Sequence, residues 1–123
     1  MAVTELTKDN LDTLIRDSRI LLIDFWAAWC GPCRMFGPTF EAAAEKNPGI
    51  AFAKCNTETQ PEVAGMFGIR SIPTIAAFKE GIMVFMQAGA LPAPALDDLI
   101  VKLDGLDMNE VREEMKKNSD DEK

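Results

Sequence analysis

The pattern of apolar and polar residues divides the chain into alternating helices and strands. Residues 20–26 and 50–55 are almost continuously apolar, which predicts central strands buried on both faces. Residues 74–79 and 82–87 are two further strand-like runs joined by a Glu-Gly dipeptide, and so short a connection predicts an antiparallel hairpin. Apolar residues at helical spacing predict helices over residues 8–17, 32–46, 61–67 and 94–103.

The predicted order of elements is α-β-α-β-α-β-β-α, which indicates the α/β class. Such an order gives a central mixed sheet with helices on both faces. Thr7 is the predicted cap of the first helix, with Leu6 and Leu11 as an apolar staple across its start. Reactive groups in such sheets collect at the carboxyl ends of the strands. Two cysteines, Cys30 and Cys33, directly follow the first predicted strand.

Residues 106–123 extend beyond the predicted domain of residues 1–105. Asp107 and Glu110 have the spacing of a capping box, which predicts a further helix over residues 108–117 followed by a frayed, charged end. The pattern favours a peripheral helix that rests on the domain over a dedicated docking element. Its apolar stripe is thin, consisting of Met108, Val111 and Met115.

Composition and charge narrow the class of protein. The 123 residues suffice for one domain with a single hydrophobic core. The net charge of −7 and a pI near 4.5 argue against nucleic acid and anionic membranes as partners. No apolar stretch approaches the roughly 20 residues of a membrane span, and the first residues lack the basic and apolar regions of a signal peptide. With an odd count of 3 cysteines, these features predict a reducing compartment, the cytoplasm.

The Cys30-x-x-Cys33 spacing can belong to a zinc site, a structural disulfide or a redox couple. Zinc requires about four ligands, and the chain has 3 cysteines and no histidine, so we expect no metal site. A disulfide staple gains little from so short a loop, because its entropic benefit grows with loop length. A redox-active dithiol is therefore favoured: a helix N-terminus lowers the pKa of the first thiol, and the second lies close enough to close a ring.

Four motifs, in the family's order and with the family's spacing, resemble thioredoxins. The first is Asp-Phe-Trp-Ala-Ala-Trp-Cys-Gly-Pro-Cys at residues 24–33, and the others lie at residues 68–74, 78–81 and 88–91. The resemblance covers residues 3–104 and leaves the C-terminal extension outside. It implies the thioredoxin fold, a central mixed sheet flanked by helices on both faces. Trp-Cys-Gly-Pro-Cys also resembles thioredoxins proper rather than relatives with His or Tyr between the cysteines, which are stronger oxidants.

The resemblance assigns the chemistry to four side chains. Cys30, at the helix start, is the attacking thiol, and Cys33 is the resolving thiol that displaces the reduced substrate. Asp24 is a carboxylate in an apolar strand, so burial should raise its pKa. In the family it is the acid/base group for Cys33, acting through water; the alternative is a structural Asp hydrogen-bonded to backbone. Lys54 lies beside Asp24 in the family and would tune its charge, whereas alone it is an ordinary solvated lysine.

The resemblance also implies a substrate surface around the cysteines. In the family the bond before Pro73 is cis, whereas a trans proline at a strand start is the default elsewhere. With a cis bond the Ile72 backbone faces Cys30 and can pair with an extended substrate chain, for which Gly89 keeps room. The flat apolar surface consists of Trp29, Gly31, Pro32, Ile72, Pro73, Gly89 and Ala90.

Ala28 and Cys55 depart from the family's pattern. Ala28 stands where polar residues are common in the family, which should alter the field near Cys30. Cys55 lies in a predicted strand, where it is either a buried inert thiol or a third, redox-regulated one.

The implied function is that of a protein-disulfide oxidoreductase, a dithiol carrier that reduces disulfides in client proteins. Its implied partner is a flavin-containing thioredoxin reductase that draws electrons from NADPH. We expect the chain itself to bind no cofactor and to act as a monomer. The alternatives are a thiol oxidase or disulfide isomerase of an oxidising compartment, and a thioredoxin-fold subunit that stabilises a larger complex.

Overall fold

One mixed sheet runs through the computed structural model, which describes residues 2–121 and the side chains of residues 2–118. Within these residues the strands are β1 Val3–Glu5, β2 Ile20–Trp26, β3 Ala51–Asn56, β4 Thr74–Lys79 and β5 Ile82–Ala88. The helices are α1 Leu11–Asp17, α2 Gly31–Lys46, α3 Pro61–Met66, α4 Ala93–Gly105 and α5 Met108–Asp121.

The sheet joins parallel and antiparallel strands in the order β1-β3-β2-β4-β5. β3 pairs in parallel with both β1 and β2, whereas β4 pairs antiparallel with β2 and β5. β2 is central because its residues are apolar except for Asp24, so that it buries side chains on both faces. The predicted α/β class, the mixed sheet and the β4–β5 hairpin are confirmed.

Helices cover both faces of the sheet, as predicted, and each face has its own core. Phe40 of α2 and Leu96 of α4 belong to one core, together with Leu22 of β2. Ile23 belongs to the other core, with apolar residues of α1 and α3. Because successive residues of a strand point to opposite faces, Asp24 lies on the same face as Leu22. That face is the one covered by α2.

The N-terminal part departs from the sequence pattern in two ways. The pattern does not predict β1, because three residues are too few to show a period. α1 begins at Leu11, three residues later than predicted, because residues 8–10 form a turn instead. In that turn the Thr7 N–H donates to Asn10 Oδ1 at 2.8 Å. The N-cap residue of α1 is Asn10 rather than Thr7, and the Thr7 hydroxyl accepts a hydrogen bond from the Asp9 N–H within the turn at 3.2 Å. Leu6 and Leu11 are both buried in the core beside α1.

Most other boundaries lie within one or two residues of the predicted ones, but α5 is longer than expected. Asp107 caps it as predicted, because its Oδ1 accepts hydrogen bonds from the N–H groups of Asn109 at 2.9 Å and Glu110 at 3.3 Å. The helix continues to Asp121, four residues beyond its predicted end, and the fraying of the charged end stays a prediction. Residues 122–123 lie outside the described residues.

A buried lysine joins β4 to the corner between α4 and α5. Lys79 is 3% exposed, and its Nζ donates to the carbonyl oxygens of Leu103 at 2.7 Å, Asp104 at 2.9 Å and Leu106 at 2.8 Å. The last carbonyls of a helix lack partners within it, and the helix dipole favours a cation there. The residue pattern does not predict this contact, because a lysine at a strand end is usually solvated. The ammonium group fixes the path of the chain into α5.

Replacing Lys79 by Met would remove the ammonium group and keep most of the aliphatic stem. We expect Lys79→Met to lower the free energy of unfolding by about 3 kcal/mol, because one buried and two partly buried carbonyl groups lose a charged donor. Urea unfolding followed by tryptophan fluorescence measures the change. The matched control is Lys102→Met: Lys102 is exposed and pairs with Asp98 at 3.0 Å, so its loss should cost less than about 0.5 kcal/mol. Equal losses in the two variants would contradict this role of Lys79.

Candidate redox site

Two cysteines lie between the end of β2 and the first turn of α2. Cys30 is the N-cap residue of α2, and Cys33 lies within that first turn. Their sulfur atoms form a disulfide with a Cα–Cα separation of 5.2 Å. Cys30 Sγ also accepts a hydrogen bond from the Cys33 N–H at 3.2 Å. The first sulfur therefore lies where free N–H groups and the positive end of the helix dipole favour an anion.

The local sequence explains this placement. Pro32 occupies the start of α2, where its missing N–H would have no helical partner in any case. The Cys30 N–H donates to the Ala27 carbonyl at 3.2 Å, and Arg34 Nη1 donates to the Ala28 carbonyl at 2.9 Å. These bonds close the turn between strand and helix. The cysteines thus lie at the carboxyl end of β2, where reactive groups were expected.

A second segment of the chain lies against the disulfide. The Ile72–Pro73 peptide bond is cis, as the resemblance implies, and the Ile72 carbonyl oxygen lies 3.6 Å from Cys30 Sγ. The Gly89 N–H donates to the Pro73 carbonyl at 2.8 Å, and Gly89 has a φ of +103°, a region that favours glycine. The register of β2, β4 and β5 brings both segments to the cysteine end of the sheet.

The residues expected to form a substrate surface lie around the disulfide, and they differ in exposure. Trp29 has 67% of its surface exposed. Pro73 is buried, so it offers its backbone rather than an apolar face. Gly89 is exposed, and a Cβ atom there would meet nothing within 4 Å. The remaining members are exposed or half-buried, namely Gly31, Pro32, Ile72 and Ala90.

Asp24 is a buried carboxylate on the face of β2 that α2 covers, and it is 4% exposed. Burial raises its pKa to about 7, and the positive charge of Lys54 partly opposes that rise. The two residues are direct partners in the register of β2 and β3. Lys54 Nζ also lies 5.6 Å from the centre of the Trp26 ring. Among the described residues no group donates a hydrogen bond to Asp24 Oδ1, which argues against a structural Asp held by backbone donors.

A small cavity connects this carboxylate to the disulfide. Its volume is about 160 Å³, and Asp24, Lys54 and Cys33 all line it. Gly37 and Glu41 line it as well; they follow Cys33 at intervals of four along α2 and therefore share its face. The expected grouping of Asp24, Lys54 and Cys33 is present. Glu41 was not expected, and its helical spacing from Cys33 is the signal that points to it.

Cys55 lies in the core shared with α1 and α3. It is 0% exposed, and burial raises the pKa of its thiol to about 11. A thiol is reactive as its thiolate, so both features favour the inert interpretation over a redox-regulated one.

Labelling of Cys55 tests this interpretation in a Cys30→Ser, Cys33→Ser double variant. We expect Ellman's reagent to label the folded variant at least about a hundredfold more slowly than the variant unfolded in guanidinium chloride, because burial both covers the thiol and suppresses its thiolate. The single variant Cys33→Ser is the control, since its Cys30 should react quickly in the folded protein. Rapid labelling of the folded double variant would instead make Cys55 a third reactive thiol.

The fold and the site together define a class of protein. It consists of α/β proteins in which a mixed sheet presents a Cys-x-x-Cys disulfide at a helix N-terminus beside a cis-proline, an arrangement that fits a dithiol redox carrier. Among the described residues, no group of three or more His, Cys, Asp or Glu side chains is placed to hold a metal ion. Residues 2–121 also contain no helix with the length and apolar character needed to cross a membrane.

Comparison with known proteins gives the family. The sequence model described as Thioredoxin matches residues 2–102. “Putative thioredoxin 2” of Streptomyces coelicolor is 54% identical over 111 residues, which are 90% of this chain and 83% of that protein. “Thioredoxin 1” of Nostoc sp. is 42% identical over 103 residues, or 82% of this chain and 96% of that protein. A solved mutant thioredoxin from Halobacterium salinarum matches with a TM-score of 0.79 and 33% identity, over 85% of this chain and 93% of that chain. This chain belongs to the thioredoxin family, whose members are protein-disulfide oxidoreductases.

Proposed function

We propose that this protein reduces disulfides in client proteins as a dithiol electron carrier and is itself re-reduced by a thioredoxin reductase. One observation carries the proposal: the disulfide lies at the N-cap of α2, with Cys30 Sγ 3.6 Å from the Ile72 carbonyl oxygen. That geometry puts the first sulfur next to backbone with which an extended client chain can pair.

The reduced protein acts through two successive exchanges. The Cys30 thiolate attacks one sulfur of a client disulfide, which forms a mixed disulfide and releases the other client sulfur as a thiol. Cys33 then attacks the Cys30 sulfur, which closes the Cys30–Cys33 disulfide and releases the second client thiol. In total two electrons and two protons pass to the client. The Cα–Cα separation of 5.2 Å keeps Cys33 within reach of its partner.

Asp24 is the proton acceptor for Cys33 in this proposal. Its pKa of about 7 allows it to change protonation state near neutral pH. The cavity of about 160 Å³ that it shares with Cys33 has room for water, which occupies about 30 Å³ per molecule in the liquid, so water can relay the proton. Lys54 tunes the carboxylate, because its charge holds the pKa of Asp24 below the value that burial alone would give.

Clients bind to the surface around the disulfide. An extended chain pairs with the Ile72 backbone, Trp29 and Pro32 supply exposed apolar contacts, and the open space at Gly89 admits the chain. Such contacts recognise backbone and shape rather than one sequence, which suits a broad range of protein disulfides.

The proposed function also implies a partner, a compartment and an oligomeric state. The re-reducing partner is a flavin-containing enzyme that draws electrons from NADPH, and this chain works in the cytoplasm as a monomer. The redox domain ends at residue 105, and the extension that follows it contains α5, Met108–Asp121. The net charge of −7 disfavours nucleic acid and anionic membranes as further partners.

Insulin reduction coupled to NADPH and a purified thioredoxin reductase tests the proposal. Precipitation of the insulin B chain reports turnover, and equilibration with dithiothreitol gives the potential of the Cys30–Cys33 couple. We expect turnover together with a potential near about −270 mV, the value that thioredoxin shows. A potential of about −120 to −180 mV with weak insulin reduction would favour a thiol oxidase or isomerase. Full function in cells of a Cys30→Ser, Cys33→Ser variant would favour a structural subunit.

A further inference from the structure

A groove of about 760 Å³ lies between the start of β5 and the extension helix α5. It is far from the disulfide: Ile82, at the start of β5, pairs with Lys79, whereas Ala88, at its end, pairs with Thr74 beside the cis-proline. These two ends of β5 are about 20 Å apart, at about 3.3 Å per residue. A molecule bound in the groove would therefore leave Cys30 open.

The wall that α5 forms is fixed to the rest of the fold at three points. Lys79 holds the corner before the helix. Met108, the first residue of α5, is buried. Arg112 donates to Glu80 in the β4–β5 turn at 3.0 Å. These contacts hold α5 in a defined position against the domain. The groove therefore has a fixed wall.

The lining of the groove is largely apolar and adaptable. β5 is an edge strand, so one side of its backbone has no strand partner within the described residues. Met83 and Met115 are 45% and 50% exposed, and methionine side chains adapt to apolar partners of varied shape. The apolar lining consists of Ile82, Met83, Val84, Leu106, Val111 and Met115.

The charged part of the lining is acidic. Asp107, Glu110 and Glu114 line the groove, and within the described part of the chain no Lys or Arg does. Glu110 and Glu114 are four residues apart on α5, where like charges weaken a helix, and neither forms a salt bridge among the described side chains. Arg112, on the same helix, is engaged by Glu80. The groove therefore favours a cationic occupant.

We propose that this groove binds a short basic, amphipathic segment of a partner protein. Its large apolar side chains would enter the groove, and its Lys or Arg side chains would pair with Glu110 and Glu114. A second copy of this chain is disfavoured, because two chains of net charge −7 would bring like charges together, and an anionic membrane is disfavoured for the same reason. Docking here would hold a partner on the molecule while the disulfide stays open to clients. The inference does not depend on the proposed redox function.

Two synthetic peptides with the same leucines test the proposal, one alternating Leu with Lys and the other Leu with Glu. Isothermal titration at low salt measures affinity, and ¹H–¹⁵N NMR shift mapping locates the site. We expect the Lys peptide to shift the signals of residues 82–84 and 106–118, and the Glu peptide not to bind. Glu110→Gln, Glu114→Gln should weaken binding of the Lys peptide about fivefold to tenfold, as expected for the loss of two rim charges.

The charge control is Glu58→Gln, Glu113→Gln, which changes two exposed carboxylates outside the groove and should leave the affinity unchanged. Equal weakening by the two charge variants would show general electrostatic attraction and overturn the proposal. Shifts confined to another part of the surface would overturn it as well.

The double variant Met83→Ala, Met115→Ala tests the apolar contribution. It should weaken binding about tenfold, because the complex then buries less apolar surface. Unchanged affinity in this variant would contradict the proposal. Insulin reduction by the Glu110→Gln, Glu114→Gln protein should equal that of the parent, because neither residue belongs to the redox site. A loss of insulin reduction in this variant would show that the groove and the redox site are coupled, which contradicts the proposal. If the parent itself lacked the activity, the proposed redox function would be wrong and the binding results would still decide the groove.

Discussion

Replacing Cys33 by Ser should trap a covalent complex between Cys30 and an insulin chain. The first exchange needs only the Cys30 sulfur, so a mixed disulfide still forms. The second exchange is lost, because the nucleophile held within disulfide reach, at a Cα–Cα separation of 5.2 Å, is gone. Non-reducing gels and mass spectrometry of the adduct should show the complex. Turnover of insulin should fall by at least about a thousandfold, since an external thiol must replace an intramolecular one.

Two matched variants separate the roles of the cysteines. Cys30→Ser should abolish turnover and give no adduct, because it removes the group that attacks first. Cys55→Ala should behave as the parent does. Cys55 is a buried, free cysteine in the core that α1 and α3 cover, and it takes no part in the disulfide. An adduct on Cys30→Ser, or the absence of one on Cys33→Ser, would reverse or remove the assigned roles.

Asp24→Asn should stabilise the oxidised protein by an amount that grows with pH. The folded protein holds the pKa of Asp24 at about 7, above its ordinary value of 3.8, so the folded state binds this proton more tightly than the unfolded state. The stability contributed by the group is fully present below about pH 4 and is lost as the pH rises through about 7. Asn carries no such penalty, so the gain should be near zero at about pH 4 and approach about 4 kcal/mol at about pH 8.

Urea unfolding of both proteins between about pH 4 and pH 8 measures this gain. Asp12→Asn is the control, because Asp12 is exposed on α1 and its replacement should change stability by less than about 0.5 kcal/mol at every pH. A gain for Asp24→Asn that did not depend on pH would contradict the raised pKa.

The same substitution should slow the reduction of insulin. Without a carboxylate in the shared cavity, Cys33 loses its proton acceptor. We expect turnover to fall by about a hundredfold near pH 7, which is the low end of the usual general-base effect. Unchanged kinetics between about pH 6 and pH 9 would remove Asp24 from the mechanism while leaving its effect on stability intact.

The sequence predicts the parts of this protein whose signals are local. The limits of β2 and β4 follow from apolar runs, and the Cys-x-x-Cys spacing at a helix start points to the disulfide. The burial of Asp24 and its raised pKa follow from one carboxylate in an apolar strand. The cis bond before Pro73 was expected from the resemblance alone, because the residues themselves favour the trans isomer.

Other features depend on contacts between distant segments and leave no local signal. β1 exists because it pairs with β3, and three residues cannot show a period. The late start of α1 depends on a side-chain bond between Thr7 and Asn10 that competes with the helix. The groove beside α5 exists because Lys79 of β4 holds the corner between α4 and α5. The carbonyl groups that Lys79 contacts are 24 to 27 positions away along the chain. None of these is visible within one window of sequence.

The Lys79 contact has an evolutionary consequence. All three of its acceptors are main-chain oxygens, so the side chains at positions 103, 104 and 106 can vary without disturbing it. Inserting or deleting one residue between α4 and α5 would instead displace the oxygens and leave the Lys79 ammonium group buried without acceptors. Wherever a lysine occupies the end of β4, natural variation at this corner should therefore be strict in length, whereas the exposed position 104 should be free in residue type and position 103 limited only by its place in the core.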